Sequence, residues 1–169
     1  MNATAISSGL ALMLAMVSPA MAQTAQSHTH HPAAAAAADV DVPAAAEAAV
    51  DVAERFNTAL SNGDLATVGS LLAADVLILE SGGAERSREE YLGHHAISDA
   101  AFLKDAHRQL LRQRARTAGE FAWVGTESEL HAQKDGKPLT VQSTETMVLK
   151  QTADGWRIVH IHWSSRTKR

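Results

Sequence analysis

A chain of 169 residues has room for one domain with a real core and little more. Its formal net charge of −4 gives no long-range attraction to a phosphate backbone, and its clustered cations, Arg166, Lys168 and Arg169, lie at the very end, so no nucleic-acid partner is expected. Without a single cysteine, a disulfide framework, thiolate metal sites, thiol catalysis and a lipoprotein anchor are excluded.

The uncharged run Gly9–Val17 leads to Pro19-Ala20-Met21-Ala22, and together they have the length and small-residue ending of a signal peptide. The run is too short to span a bilayer. Residues 1–22 are therefore expected to be removed, leaving a periplasmic or secreted protein with no membrane anchor. Residues 23–43 carry almost no large apolar side chain and read as a disordered Ala/His-rich linker. Its His28, His30 and His31 are close enough to share a divalent ion, but a flexible tail binds weakly, so no metal site is assigned.

Helical periodicity begins at about residue 44, where Val50, Ala53, Phe56 and Leu60 line one stripe and Gly63 is placed to stop the helix. Asp64 can cap a second short helix bearing Leu65, Val68, Leu71 and Leu72. Asp75–Glu80 then reads as a strand, turning at Ser81-Gly82-Gly83 into a short return strand over 84–86. Ser87-Arg88-Glu89-Glu90 is a capping box that opens a third helix running to about Asp105. From His107 the pattern changes to strands over 108–117, 121–131, 139–150 and 156–165, separated by turn signals at Gly119, Asp135–Pro138 and Asp154-Gly155. Such a succession is an antiparallel meander. The predicted class is α+β, with three helices packed over the concave face of a strongly curved antiparallel sheet, in a domain spanning 44–166.

Three features carry a resemblance: Phe56-Asn57-x-Ala59 in the first helix, Gly63-Asp64 after it, and the terminal strand Gly155-Trp-Arg-Ile-Val-His-Ile-His-Trp-Ser164. The chain resembles the SnoaL-like and ketosteroid-isomerase-like branches of the nuclear transport factor 2-like superfamily over about Ala46 to Ser165. Its closing Val-His-x-His segment is also similar to the association domain of calcium/calmodulin-dependent protein kinase II. The resemblance implies a cone with a pocket between sheet and helices, and a homodimer packed through the outer sheet face. It implies no single reaction, so function has to be argued from the site. The ketosteroid isomerase pattern sets an aspartate base opposite a tyrosine and an acid. That trio has no match readable here, since the one tyrosine, Tyr91, falls on the third helix.

Alternation along the terminal strand puts Trp156, Ile158, His160 and His162 on one face, and Arg157, Val159, Ile161 and Trp163 on the other. The resemblance implies that the first set lines the pocket, and Val159, Ile161 and Trp163 of the second then form an apolar dimer face. His160 and His162 are then candidate acid–base catalysts; a structural pair and a metal-binding pair stay open as alternatives. Glu80, ending the first long strand, is the third candidate catalytic residue, since a carboxylate beside an imidazole orients it. Glu145, Trp123, Trp156, Ile158 and Tyr91 are candidate ligand contacts, joined by whichever of His94 and His95 points inward. There is no phosphate loop, nucleophile elbow, zinc-protease helix or dinucleotide fingerprint, and no cofactor is expected. These features favour an exported small-molecule-binding domain of isomerase or hydratase type. The alternatives are a non-enzymatic binding or assembly module and a metal-binding periplasmic protein.

Overall fold

The computed structural model describes residues 37–169. The signal peptide and the tail containing His28–His31 lie outside the described residues. The elements are β1 (Asp39–Asp41), a 3-10 turn (Ala44–Ala46), α1 (Glu47–Ser61), α2 (Leu65–Leu71), β2 (Leu72–Glu80), β3 (Gly83–Glu85), α3 (Arg88–Gly93), α4 (His95–Leu103), β4 (His107–Ala118), β5 (Phe121–Lys134), β6 (Lys137–Thr152) and β7 (Gly155–Thr167).

Local sequence explains most of these boundaries. Of the predicted stripe of α1, Ala53, Phe56 and Leu60 are buried and Val50 is partly so, with Val52 buried beside them, and Gly63 ends the helix in the left-handed conformation, φ +72°, that other residues resist. Asp64 caps α2 by accepting the Thr67 amide at 3.0 Å, and its bonds from Thr67 hold its carboxyl below the usual range. Ser87 caps α3 through the Glu90 amide at 3.0 Å, while the Glu90 carboxylate takes the Arg86 amide at 2.7 Å, one residue outside the reciprocal bond expected. The single third helix of the sequence reading is in fact two. Gly93 is a poor helix residue, and His94 leaves the helical region at φ −130°, ψ −91°, so α4 starts afresh in a new direction.

The sheet has seven strands in the order β1-β4-β5-β6-β7-β2-β3. The predicted meander from β4 to β7 is antiparallel throughout, but β2 joins β7 in parallel and β1 joins β4 in parallel, so the sheet is mixed and not closed. β1 corrects the linker boundary, since the domain takes in Asp39–Asp41. Asp39 accepts from Arg114 at 2.6 Å and Asp41 from Arg116 at 2.7 Å, and these bonds hold both carboxyls below the usual range. The strand was illegible because three residues give no periodicity and its partners lie 75 residues away. No described helix is long and apolar enough to cross a membrane. Helices pack on one sheet face, with Phe56, Leu60, Ile78, Met147, Leu149, Ile158 and Ile161 fully buried between them.

Candidate functional site

Strand register arranges the inner sheet face in rows. One row crosses five strands as Gln113, Thr126, Glu145, Trp163 and Glu80. The next, two residues further along each strand and so about 7 Å away, is Ser128, Ser143 and Ser165. A third brings Arg108, Leu130 and Val141 to the rim. Asn57, Leu60 and Ser61 of α1 and Asp99, Phe102 and Leu103 of α4 roof these rows, enclosing a cavity of about 410 Å³. Cavities of a few hundred Å³ suit small organic ligands. The floor is thus acidic at one end, hydroxyl-bearing in the middle and mixed at the rim.

Glu145 is held from two sides. Asn57 Nδ2 donates to its Oε1 at 3.1 Å, and Trp163 Nε1 donates to its Oε2 at 2.8 Å. Enclosure pushes the Glu145 carboxyl above the usual range, and the two N–H donors offset this only in part. The Trp163 ring is fixed against Phe56 and Tyr91, with centroids at 6.2 and 6.1 Å, so aromatic packing sets the direction of its N–H.

Tyr91 is fully buried, and its O–H donates to Asp99 Oδ2 at 3.1 Å. The Asp99 carboxyl is pushed up to about 6, by burial first and then by the charge of Glu80, against the opposing effect of the Tyr91 bond. Burial, and next the Asp99 charge, drive the Tyr91 phenol well above its ordinary value, so it stays a donor. At the rim Arg108 Nη1 donates to Glu54 Oε2 at 2.9 Å, and Gln113 Nε2 donates to Glu54 Oε1 at 2.7 Å. Arg108, the one cation lining the cavity among the described residues, is therefore already engaged.

Of the predicted site residues, Glu80 and Glu145 line this cavity. His160 and His162 do not. Val148 pairs with His160 but Leu149 pairs with Ile158, leaving Val159 as an extra, bulged residue that reverses the facing of everything after it. Trp156 and Ile158, before the bulge, turn to the core but do not reach the cavity; Ile161, Trp163 and Ser165, after it, turn inward. His160 instead donates through Nδ1 to the Leu77 carbonyl at 2.8 Å, tying β7 to β2, and His162 is exposed. Ile161 is core and Trp163 is a cavity wall, so the apolar outer patch expected from Val159, Ile161 and Trp163 does not form.

Neither His94 nor His95 lines the cavity, because the break between α3 and α4 turns both outward; His95 Nδ1 pairs with Glu85. Tyr91 lies behind the wall and reaches the cavity only through Asp99. Trp123 stands on the outer face of β5, 43% exposed. Among the described residues no cluster of three His, Asp or Glu side chains is placed to hold a metal ion.

Sequence reading missed Asn57, Asp99 and Thr126. The one signal for Asp99 was a lone charge inside the otherwise apolar or small run Ala96–Leu103. Thr126 gave none, since polar residues occupy both faces of β5 from Thr126 to Glu129.

Comparison with known proteins agrees with this architecture. Residues 49–167 match the profile of the SnoaL-like domain. A crystal structure from Shewanella frigidimarina, of a protein named for ketosteroid isomerase, is 35% identical with a TM-score of 0.66 and covers 75% of this chain and 100% of its own. The calcium/calmodulin-dependent protein kinase II hub of S. rosetta is 19% identical with a TM-score of 0.62, covering 71% of this chain and 95% of its own. The corresponding association domain from Xanthomonas campestris is 23% identical with a TM-score of 0.61, covering 77% and 95%. At these lower identities the likeness is one of fold. No curated protein matches the chain. With residues 49–167 matching its profile and the fold shared with a 35% identical relative, the chain belongs to the SnoaL-like domain family of the nuclear transport factor 2-like superfamily.

Proposed function

We propose that the cavity catalyses proton transfer on a neutral organic ligand, as an isomerase- or hydratase-type enzyme. One observation carries the reading: a carboxylate oriented by two N–H donors and a carboxylic acid backed by a buried phenol line the same cavity. Donors favour the ionised form of Glu145, leaving lone pairs free to take a proton from carbon. Asp99, with Oδ2 occupied by Tyr91, can carry its proton on Oδ1 and donate it toward a ligand oxygen. As Glu145 takes a proton from the carbon beside a carbonyl, the C–H pair forms a C=C bond and the carbonyl oxygen gains charge that Asp99 stabilises. Returning the proton to another carbon completes an isomerisation. The name of the Shewanella relative points in the same direction.

The test is NMR-detected exchange of the α-protons of β-tetralone in deuterium oxide. Catalysed exchange is expected to rise with pH as Glu145 ionises, above the ordinary glutamate range, and to fall as Asp99 loses its proton through about 6. In Asp99→Asn the falling limb is expected to vanish, because an amide donates without titrating. Exchange no faster than in buffer from pH 5 to 8 would overturn the reading.

We also infer a homodimer through the outer sheet face. The register places Trp123, Val148, His160 and Leu77 in one row there, with Trp123 43% and Leu77 39% exposed. Sedimentation at micromolar concentration is expected to give a dimer for the wild type and a monomer for Trp123→Glu. A monomeric wild type would refute the pairing.

A further inference from the structure

Thr126 is 4% exposed, and among the described residues its Oγ1 is the buried side-chain polar atom left without a hydrogen-bond partner. A buried hydroxyl that bonds nothing is a cost to folding, and a ligand oxygen is a natural partner where the residue carrying it lines a cavity, as Thr126 does. Thr126 lies directly opposite Glu145 across the β5–β6 ladder, at the acidic end of the floor. The next row outward, about 7 Å along the strands, sets three serines side by side on β5, β6 and β7, Ser128, Ser143 and Ser165. Leu60, Phe102 and Leu103 supply an apolar roof.

Anions are disfavoured here. Glu80, Asp99 and Glu145 line the cavity, and Arg108, the lining cation, is bonded to Glu54. We propose that Thr126 is a ligand-recognition residue: its hydroxyl bonds an oxygen of the ligand beside Glu145, and the serine row bonds a second oxygen one row further out. The ligand class is then a neutral, elongated molecule with oxygen functions at both ends and an apolar middle. This rests on the cavity being the ligand site of the proposed enzyme, and it adds which residue reads the ligand and what that residue reads.

The experiment compares wild type, Thr126→Val and Thr126→Ser by thermal melting and by calorimetric titration with a naphthalenediol whose hydroxyls stand at opposite ends of the bicycle. The matching naphthalenedicarboxylate is the anionic control. Thr126→Val keeps the shape and loses the hydroxyl, so it is expected to melt no lower than wild type and to bind the diol about three- to tenfold more weakly. Thr126→Ser is expected to restore most of the affinity, and the dicarboxylate to bind none of the three. A valine variant that melts several degrees early has lost a partner inside the protein, which overturns the assignment. Equal diol affinity in wild type and Thr126→Val overturns it as well, as does dicarboxylate binding as tight as that of the diol. Failure of the wild type to bind the diol, with β-tetralone exchange intact, removes this ligand class and leaves the proton-transfer reading standing.

Discussion

Glu145→Gln is expected to slow β-tetralone exchange by roughly a hundred- to ten-thousandfold, the range that a positioned general base contributes. The substitution keeps the length of the side chain and an oxygen that can still accept from Asn57 or Trp163, the two donors now fixed on the carboxylate at 3.1 and 2.8 Å. What it removes is the basic lone pair. Because burial already pushes the Glu145 carboxyl upward, its loss is expected to leave the melting temperature unchanged or higher at neutral pH. A stable variant with wild-type exchange would refute Glu145 as the base. Glu80→Gln, measured alongside, separates the two carboxylates that flank Trp163 in the same row.

Phe56→Ala carries the largest expected cost in stability, about 3–5 kcal/mol for a phenyl ring deleted from a closed core. Phe56 is fully buried, with its ring centroid 6.5 Å from Tyr91 and 6.2 Å from Trp163. For a small domain that is a substantial part of total stability and lowers the melting temperature by roughly 10–20 °C. The same deletion loosens Trp163, whose N–H orients Glu145, so exchange is expected to weaken even below the melting transition. Phe56→Leu refills most of the volume and is expected to recover most of the stability and part of the rate. Melting within a few degrees of wild type for Phe56→Ala would mean that helix α1 closes over the gap, and that the aromatic cluster does not hold the site.

Local chemistry written in consecutive residues was legible in the sequence. Asp64 and Ser87 cap helices through bonds that span three residues, Gly63 ends α1 because it needs a positive φ, and the turns at Gly119, Gly136 and Gly155 separate four strands. Glu145, a candidate ligand contact in the sequence, lies on the inner face in a stretch where the β5–β6 ladder from Phe121 to Lys134 runs without a register shift. One bulged residue, Val159, defeated the reading of alternate faces in β7, since the side-chain period of a strand is two and a single insertion exchanges its faces. The sequence thus determined the order of most elements and the family resemblance, but neither β1 nor the break between α3 and α4. Tertiary structure alone decided that Trp163 and not His162 faces the cavity, that Asp99 meets Tyr91, and that Asn57 meets Glu145 across 88 residues of chain. Those pairings rest on ladder register and on the break at His94 where α4 restarts, features set by packing over the whole sheet rather than by the residues beside them.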